Sequence, residues 1–260
     1  MALMHVDFFS NVLGMCVQMD VIVPQRTTGQ IGMEGKGGDG KYPTLYLLHG
    51  YSDDQTIWQR RTSIERYAND YGIAVVMPTT HLAYYTDTQY GYRYWTYISE
   101  ELPEICRSFF NGMSDRREDT FAAGLSMGGY GAFKLGLRAS DTFSAVASLS
   151  GAVDLVSILA DRPERNPITE GVFGDLSKVK GSDNDLFYLA EKLAASGKPL
   201  PKMYQWCGTE DFLYEGNLRM RDHLKSLGYD LTYEDSPGDH QWKYWDEKIQ
   251  TVLEWLPIGK

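Results

Sequence analysis

The order of apolar and polar residues along the chain predicts two opening strands followed by an alternation of strands and helices. In residues 15–24 apolar side chains recur at every second position, which is the period of a half-buried strand, and residues 4–10 form another strand before it. Residues 44–48 and 74–77 are continuous apolar runs too short for a helix, with proline or glycine nearby. Runs of this kind are typical of parallel strands that are buried on both faces.

The alternation continues almost to the end of the chain. The further predicted elements are helix 63–71, helix 98–111, strand 120–124, helix 127–138, strand 145–150, strand 202–207, helix 216–227, strand 231–235 and helix 242–256. This repetition predicts a single α/β domain over residues 1–260, with a mostly parallel central sheet and helices on both faces. Residues 154–201, rich in proline and glycine, break the rhythm. We interpret them as a lid-like insertion, and a surface loop without a role is the alternative.

Charge and composition narrow the functional classes. The 25 basic and 35 acidic residues give a net charge of −10, which disfavours binding to nucleic acid. No apolar stretch approaches the ~20 residues of a membrane-spanning helix, and the N-terminus lacks the features of a secretion signal. Three widely spaced cysteines fit reduced thiols, so we expect a cytoplasmic protein, with a secreted form that has lost its leader as the alternative.

The glycine-rich segment 27–40 invites comparison with a nucleotide-binding loop. It has no Gly-Lys-Ser/Thr ending, and its glycines do not open a helix. We therefore predict a surface loop here, and the sequence indicates neither a metal ion nor a cofactor.

The segment 124–128 reads GLSMG and matches the G-x-S-x-G pattern of a nucleophilic serine. It lies between a predicted buried strand and a predicted helix, the context in which this pattern forms the nucleophile elbow of an α/β-hydrolase fold. Glycines at 124 and 128 allow the strand and helix to approach closely in the tight turn that presents Ser126. A glycine-rich turn selected only for close packing is the structural alternative.

A serine hydroxyl needs an imidazole to accept its proton and an anion to orient that imidazole. Of the five histidines, His240 lies in the turn between the last strand and the last helix, where this fold presents its base. Asp211 follows strand 202–207, at a strand end where catalytic groups collect, and its neighbour Glu210 is the local rival. The chain order Ser126, Asp211, His240 is the one expected for the fold.

The transition state also needs N–H donors for its negatively charged oxygen. One predicted donor is the backbone N–H of Met127, directly after the nucleophile, and the other is that of Tyr51, in the loop after the third strand. Gly50 permits the bend that this second donor requires. We expect His49 to support the loop by hydrogen bonds and not to act as a base. An ordinary strand-ending turn is the alternative.

Four segments together resemble the "Putative esterase" (esterase D) family. They are LLHG at 47–50, GLSMGGYGA at 124–132, GTED at 208–211 and GDH at 238–240. The family includes tributyrin esterases, S-formylglutathione hydrolases and feruloyl or acetylxylan esterases, and residues 92–103 are similar to the tributyrin esterase branch. The resemblance implies a cytosolic serine carboxylesterase that acts on short acyl chains without a cofactor. It also favours Asp211 over Glu210.

Several other functions are consistent with the same residues. S-formylglutathione hydrolases of this family carry a cysteine soon after the His-Gly pair, whereas residues 51–55 contain none. Hydrolysis of glutathione thioesters is therefore the second candidate, and a feruloyl or acetylxylan esterase is a third. An acyltransferase and an inactive hydrolase fold used for binding are the alternatives outside hydrolysis.

Aromatic residues concentrate in the loop 81–97. We expect Trp58, Tyr94 and Trp95 to line a small pocket for acetyl to butyryl groups of an ester substrate, with simple packing under the loop as the alternative. The same loop and the insertion 154–201 are candidate surfaces for a homo-oligomer.

Overall fold

The computed structural model describes residues 1–37, 40–161 and 166–259, and these form one eight-stranded sheet flanked by helices. The strands are β1 (Ala2–Ser10), β2 (Met15–Val23), β3 (Thr44–Leu48), β4 (Ala74–Pro78), β5 (Thr120–Leu125), β6 (Ala145–Leu149), β7 (Lys202–Gly208) and β8 (Leu231–Ser236). The helices are α1 (Ile57–Arg61), α2 (Ile64–Tyr71), α3 (Tyr94–Thr96), α4 (Leu102–Phe109), α5 (Met127–Arg138), α6 (Leu155–Asp161), α7 (Asn166–Phe173), α8 (Leu186–Ala194), α9 (Tyr214–Ser226) and α10 (Trp242–Trp255).

The strands lie in the order β1-β2-β4-β3-β5-β6-β7-β8. The hairpin β1–β2 is antiparallel and pairs antiparallel with β4, whereas β4, β3, β5, β6, β7 and β8 run parallel to one another. The α/β fold with a mostly parallel central sheet is therefore confirmed.

Alternate residues of the central strands pack on opposite faces of the sheet. In β3, Tyr46 and Leu48 join an apolar cluster that includes residues of α4, α5, α8 and α9, whereas Leu45 and Leu47 join a second cluster with α1, α2 and α10. Every residue of β3, β4, β5 and β6 is buried, as their unbroken apolar runs predict.

The structure differs from the predicted elements mainly in two places. Helix α1 was not predicted, and the predicted helix 98–111 starts earlier, at Tyr94, and contains a π-helical turn at Tyr97–Glu101. Glu101, at the end of that turn, accepts hydrogen bonds from the backbone N–H groups of Asn11 and Val12 at 2.7 and 3.1 Å. This tertiary contact has no counterpart in the local sequence pattern.

The predicted insertion 154–201 contains three short α-helices, α6, α7 and α8. Residues 162–165 of this segment, and residues 38–39 of the predicted glycine-rich loop, lie outside the described residues. The lid-like role of the insertion and the single-domain organisation stay predictions.

Cys16, Cys106 and Cys207 are all free thiols. Within the described ranges, none of the helices combines the length and the apolar character needed to cross a lipid bilayer. The cytoplasmic location stays a prediction.

Helix α5 lies against the sheet at very short range. A Cβ atom added to Gly128 would lie 2.4 Å from the carbonyl oxygen of Leu48 and 2.6 Å from that of His49, and one added to Gly124 would lie 2.4 Å from the backbone of Gly128. Because these neighbours are backbone atoms, they cannot move aside as a side chain can. The glycines are therefore required where β3, β5 and α5 meet.

We expect Gly128→Ala to lower the free energy of unfolding by about 1–3 kcal/mol, since the added methyl group forces apart elements that are otherwise close-packed. Gly40→Ala is the matched control, because no described atom lies within 4 Å of the added Cβ there. Urea unfolding of both variants measures the effect. Equal stabilities for the two variants would contradict the packing argument.

Candidate active site

Ser126 occupies the sharp turn between β5 and α5. Its backbone has φ 53° and ψ −117°, a conformation that residues with a side chain rarely adopt. Two hydrogen bonds fix the turn: the Ser126 N–H donates to the Leu149 carbonyl at 2.9 Å, and the Ser126 carbonyl accepts from the Ala152 N–H at 2.9 Å. The hydroxyl is thereby presented at the carboxyl edge of the parallel strands, where the loops after β3, β7 and β8 also begin.

The structure brings the three predicted catalytic side chains together. His240 Nε2 lies 3.0 Å from Ser126 Oγ, and His240 Nδ1 lies 2.7 Å from Asp211 Oδ2. The Asp211 side chain is fully buried, and its other oxygen accepts the Leu213 N–H at 2.9 Å. Because a carboxylate only accepts hydrogen bonds, Nδ1 carries the imidazole proton and Nε2 faces the hydroxyl as an acceptor.

Glu210 points away from the imidazole and binds the loop that carries it. Its carboxylate accepts hydrogen bonds from the backbone N–H of Gly238 and from the Thr209 hydroxyl, and its own N–H donates to the Gly238 carbonyl at 3.0 Å. The hydrogen bond from Gly238, followed by that from Thr209, lowers the pKa of Glu210. The two adjacent acids thus have different contacts, with Asp211 on the imidazole and Glu210 on its loop.

Two aromatic side chains that the sequence analysis missed hold the His240 ring. Phe212 lies against it at 4.7 Å between ring centroids, and Trp245 meets it edge to face at 4.8 Å. Trp245 is fixed in turn, because its Nε1–H donates to Ser150 Oγ at 3.1 Å. No local pattern marks Trp245, since its contacts join α10 to the loops after β8 and β6.

The predicted oxyanion loop lies directly beside the nucleophile. A Cβ atom on Gly50 would fall 3.7 Å from Ser126 Cβ, and the next residue, Tyr51, lines the cavity at Ser126. Met127 is the first residue of α5, so its N–H belongs to the group at a helix start that has no intrahelical acceptor. Both backbone N–H groups stay predicted donors.

His49 supports this loop through both ring nitrogens. The Thr80 N–H donates to Nε2 at 3.0 Å, so the proton resides on Nδ1, which donates to the Gly50 carbonyl at 2.7 Å. The Tyr85 hydroxyl donates to the His49 carbonyl at 2.8 Å. Burial lowers the pKa of His49 from 6.5 to about 4, which keeps the ring neutral.

A cavity of about 200 Å³ adjoins Ser126 and His240. Its other lining residues are Tyr51, Ser52, Tyr84, Ala152, Ile158, Phe212 and Leu213. Tyr84 comes from the predicted aromatic loop, where it and Tyr85 adopt a positive φ of 49°, and it packs against Tyr130 and Phe173 with ring centroids 5.9 and 5.5 Å apart.

The three aromatic residues expected in this pocket lie elsewhere. Trp58 is buried under the sheet, where its Nε1–H donates to the Leu48 carbonyl at 3.0 Å. Tyr94 and Trp95 belong to α3 and are also buried, and the Trp95 ring lies under the guanidinium of Arg138 at 4.5 Å. The expectation that these three residues line the pocket is therefore wrong. The residue of the aromatic loop 81–97 that lines the cavity is Tyr84.

A buried lysine fixes the loop that carries Tyr84. The amine of Lys134, on α5, donates to Thr86 Oγ1 and to Asn184 Oδ1 at 2.7 Å each, and the Thr86 hydroxyl donates to the Tyr84 carbonyl at 2.8 Å. Burial lowers the pKa of Lys134 well below its ordinary value. The wall of the cavity is therefore tied to the helix that begins at the nucleophile.

Fold and site together define a serine hydrolase of the α/β-hydrolase fold. Residues 36–256 match the family described as "Putative esterase", and the chain belongs to this family. An acetyl esterase from Caldicellulosiruptor saccharolyticus is 33% identical over 264 residues, which cover 98% of each chain.

Solved structures agree with this assignment. The fluorophosphonate-binding serine hydrolase F of Staphylococcus aureus is similar at a TM-score of 0.87 with 37% identity, and an S-formylglutathione hydrolase from Staphylococcus aureus at 0.86 with 37% identity. The similarity covers 98% of this chain and of each of those chains. The protein is a carboxylic ester hydrolase, and its substrate is a small-molecule ester.

The buried neutral His49 predicts a specific loss of stability in acid. Its pKa of about 4 lies below the ordinary 6.5, so between these values the unfolded chain binds a proton that the folded chain does not. The stabilisation is complete above about pH 6.5 and is lost as the pH falls toward 4.

We expect the difference in unfolding free energy between wild type and His49→Asn to shrink by about 3 kcal/mol from pH 7 to pH 4, at ~1.4 kcal/mol for each unit of pKa difference. Urea unfolding of both proteins at several pH values measures it, and titrations common to both proteins cancel. A difference that does not vary with pH would refute the buried, neutral state of His49.

Proposed function

We propose that the protein is a carboxylesterase that removes short acyl groups through a Ser126–His240–Asp211 triad. The observation that carries the proposal is the hydrogen-bonded chain of 3.0 and 2.7 Å between these side chains beside a small cavity. An acetyl esterase that is 33% identical over the whole chain supports the same assignment.

The proposed reaction has two halves that use the same groups. Ser126 Oγ attacks the ester carbonyl carbon while His240 Nε2 takes the hydroxyl proton, and Asp211 stabilises the imidazolium. The Met127 and Tyr51 N–H groups receive the negative oxygen, and each such donor contributes about 3 kcal/mol. The imidazolium then protonates the departing alcohol. Water, deprotonated by His240, attacks the acyl-enzyme and releases the acid and the free serine.

The cavity size supports a short acyl group. A volume of about 200 Å³ is below the roughly 300–1,000 Å³ of pockets for drug-sized ligands. Tyr84 forms part of its wall, and the packing of Tyr84 on Tyr130 and Phe173 holds that part of the wall in place. We infer a preference for acetyl to butyryl groups, with tributyrin as a representative substrate, and a feruloyl group, with its aromatic ring, fits less well.

Thioester hydrolysis is the second candidate, because a structure 37% identical over 98% of this chain is described as an S-formylglutathione hydrolase. A formyl group also fits a small cavity. Residues 51–55 lack the cysteine that the resemblance leads one to expect, which favours oxygen esters. The ratio of kcat/KM for p-nitrophenyl acetate and S-formylglutathione decides between them.

We expect Ser126→Ala, which removes the nucleophile, to reduce kcat for p-nitrophenyl butyrate by at least ~10⁴-fold. We expect Asp211→Asn, which no longer holds His240 in the tautomer that accepts the serine proton, to reduce kcat by on the order of 10⁴-fold. Ser52→Gly is the matched control, because Ser52 lines the same cavity with a positive φ of 74° that glycine tolerates. Trapping of the acyl-enzyme by rapid quench and intact mass supplies a second readout. Wild-type rates in Ser126→Ala would overturn the proposal.

We expect Tyr84→Ala to raise kcat/KM for p-nitrophenyl octanoate relative to the butyrate by about tenfold, because the shortened side chain opens the cavity to further methylene groups. Tyr92→Ala is the control: the same loop carries Tyr92, half of its side chain is exposed, and it does not line the cavity. An unchanged preference in Tyr84→Ala would show that another surface limits acyl length.

A further inference from the structure

A second cavity, of about 280 Å³, adjoins the one at Ser126. The two share Ile158, Phe212 and Leu213, so they form neighbouring compartments of one groove. Phe212 stands between them with 59% of its surface exposed, and its ring lies against His240.

The position of the second cavity suits it to the alcohol portion of an ester. The imidazolium of His240 must deliver its proton to the leaving oxygen, so the alcohol portion of an ester lies on the histidine side of the scissile bond. The acyl portion then occupies the compartment beside Tyr51 and Tyr84. Because the Phe212 ring lies against His240 and lines both cavities, the second cavity is within reach of the alcohol portion.

The second cavity presents fixed polar groups. Asp154, which is buried, accepts hydrogen bonds from Arg219 Nε at 2.8 Å, from the Ser157 hydroxyl at 3.0 Å and from the Ser157 N–H at 3.2 Å. Half of the Arg219 side chain is exposed, and Glu215 lies one helical turn earlier on α9 and lines the same cavity. Hydrogen-bond donors and acceptors are therefore both held at its wall.

The charges at this wall select against an anionic ligand. Asp154 neutralises Arg219, with Nη2 at 2.6 Å from its carboxylate, and Glu215 adds a second negative charge, so one cation faces two carboxylates. A neutral alcohol with several hydroxyl groups matches such a mixture of donors and acceptors. The exposed Phe212 ring offers an apolar surface to the C–H groups of the same alcohol.

We propose that this second cavity is a leaving-group subsite for neutral, hydroxyl-rich alcohols, such as glycerol or a sugar ring, and that Arg219 and Glu215 determine the preference. The subsite rests on the proposed esterase function. It also disfavours anionic leaving groups, including the two carboxylates of a glutathione thiol.

The test compares esters that share one acyl group. The substrates are p-nitrophenyl acetate, monoacetylglycerol, a monoacetylated methyl pyranoside and acetoxyacetate, whose alcohol portion is anionic. Arg219→Met and Glu215→Gln each lower the ratio of kcat/KM for the hydroxyl-rich esters to that for p-nitrophenyl acetate by about tenfold, the effect of one lost hydrogen bond to a charged group. The two hydroxyl-rich esters are also compared with each other. If the variants lower the ratio more for acetylglycerol, the subsite prefers glycerol, and if they lower it more for the acetyl pyranoside, it prefers a sugar ring.

Arg221→Met is the matched control, because Arg221 lies on the same helix and pairs with Asp222 at 2.7 Å, and we expect it to leave all ratios unchanged. Glu215→Gln also raises the relative rate on acetoxyacetate, since it removes a repelling charge. Because Glu215 is exposed, this variant keeps the test valid even where Arg219→Met fails to fold. Ratios that stay constant in both variants overturn the subsite.

Failure of the esterase function gives a different result. If wild type hydrolyses none of the four esters, the proposed function fails and the subsite is judged by binding alone. Saturation-transfer NMR of methyl pyranoside and of glycerol with Ser126→Ala then serves as the readout. Binding that is lost on adding Glu215→Gln supports the subsite, and binding that is absent or unaffected overturns it.

Discussion

The close contact between the start of α5 and the end of β3 is the constraint on which the active site depends. Without Cβ atoms at Gly124 and Gly128, the helix backbone lies against the carbonyl oxygens of Leu48 and His49. The turn between β5 and α5 is consequently so tight that Ser126 adopts a conformation that costs about 1–3 kcal/mol. Hydrogen bonds to neighbouring loops and burial of nearly the whole helix offset this cost. The hydroxyl and the helix N-terminus therefore have fixed positions before any substrate binds.

The other side chains of the site are held by contacts between segments that are distant in sequence. Asp211 orients the His240 ring, Glu210 binds the backbone of the loop that carries it, and Trp245 packs on its edge. His49, neutral and buried, fixes the loop after β3 by one donated and one accepted hydrogen bond. Rigid support of this kind keeps the reacting atoms near the geometry that the reaction needs.

The groove beside the nucleophile has two compartments of different chemistry. The compartment at Ser126 and His240 is small and is lined by Tyr84, whose loop is tied to α5 by Lys134 through Thr86. The second compartment, which shares Phe212 with the first, is lined by an ion pair and a further carboxylate. On the proposed function and subsite, acyl groups are discriminated by volume and alcohols by hydrogen bonding and charge, two properties that vary independently.

The sequence by itself determined what depends on neighbouring residues: the buried strands, helix α5 to the residue, the nucleophile turn and the chain order of Ser126, Asp211 and His240. These follow from the spacing of apolar residues and from glycine, which act over a few positions. The family resemblance already favoured Asp211 over Glu210, but tertiary structure alone decided that Glu210 binds the loop that carries His240. It alone also decided that Tyr84 lines the cavity at Ser126 while Trp58, Tyr94 and Trp95 do not. The physical reason is that lining a cavity or sharing a hydrogen bond depends on the relative placement of separate segments. Local residue pattern does not encode that placement.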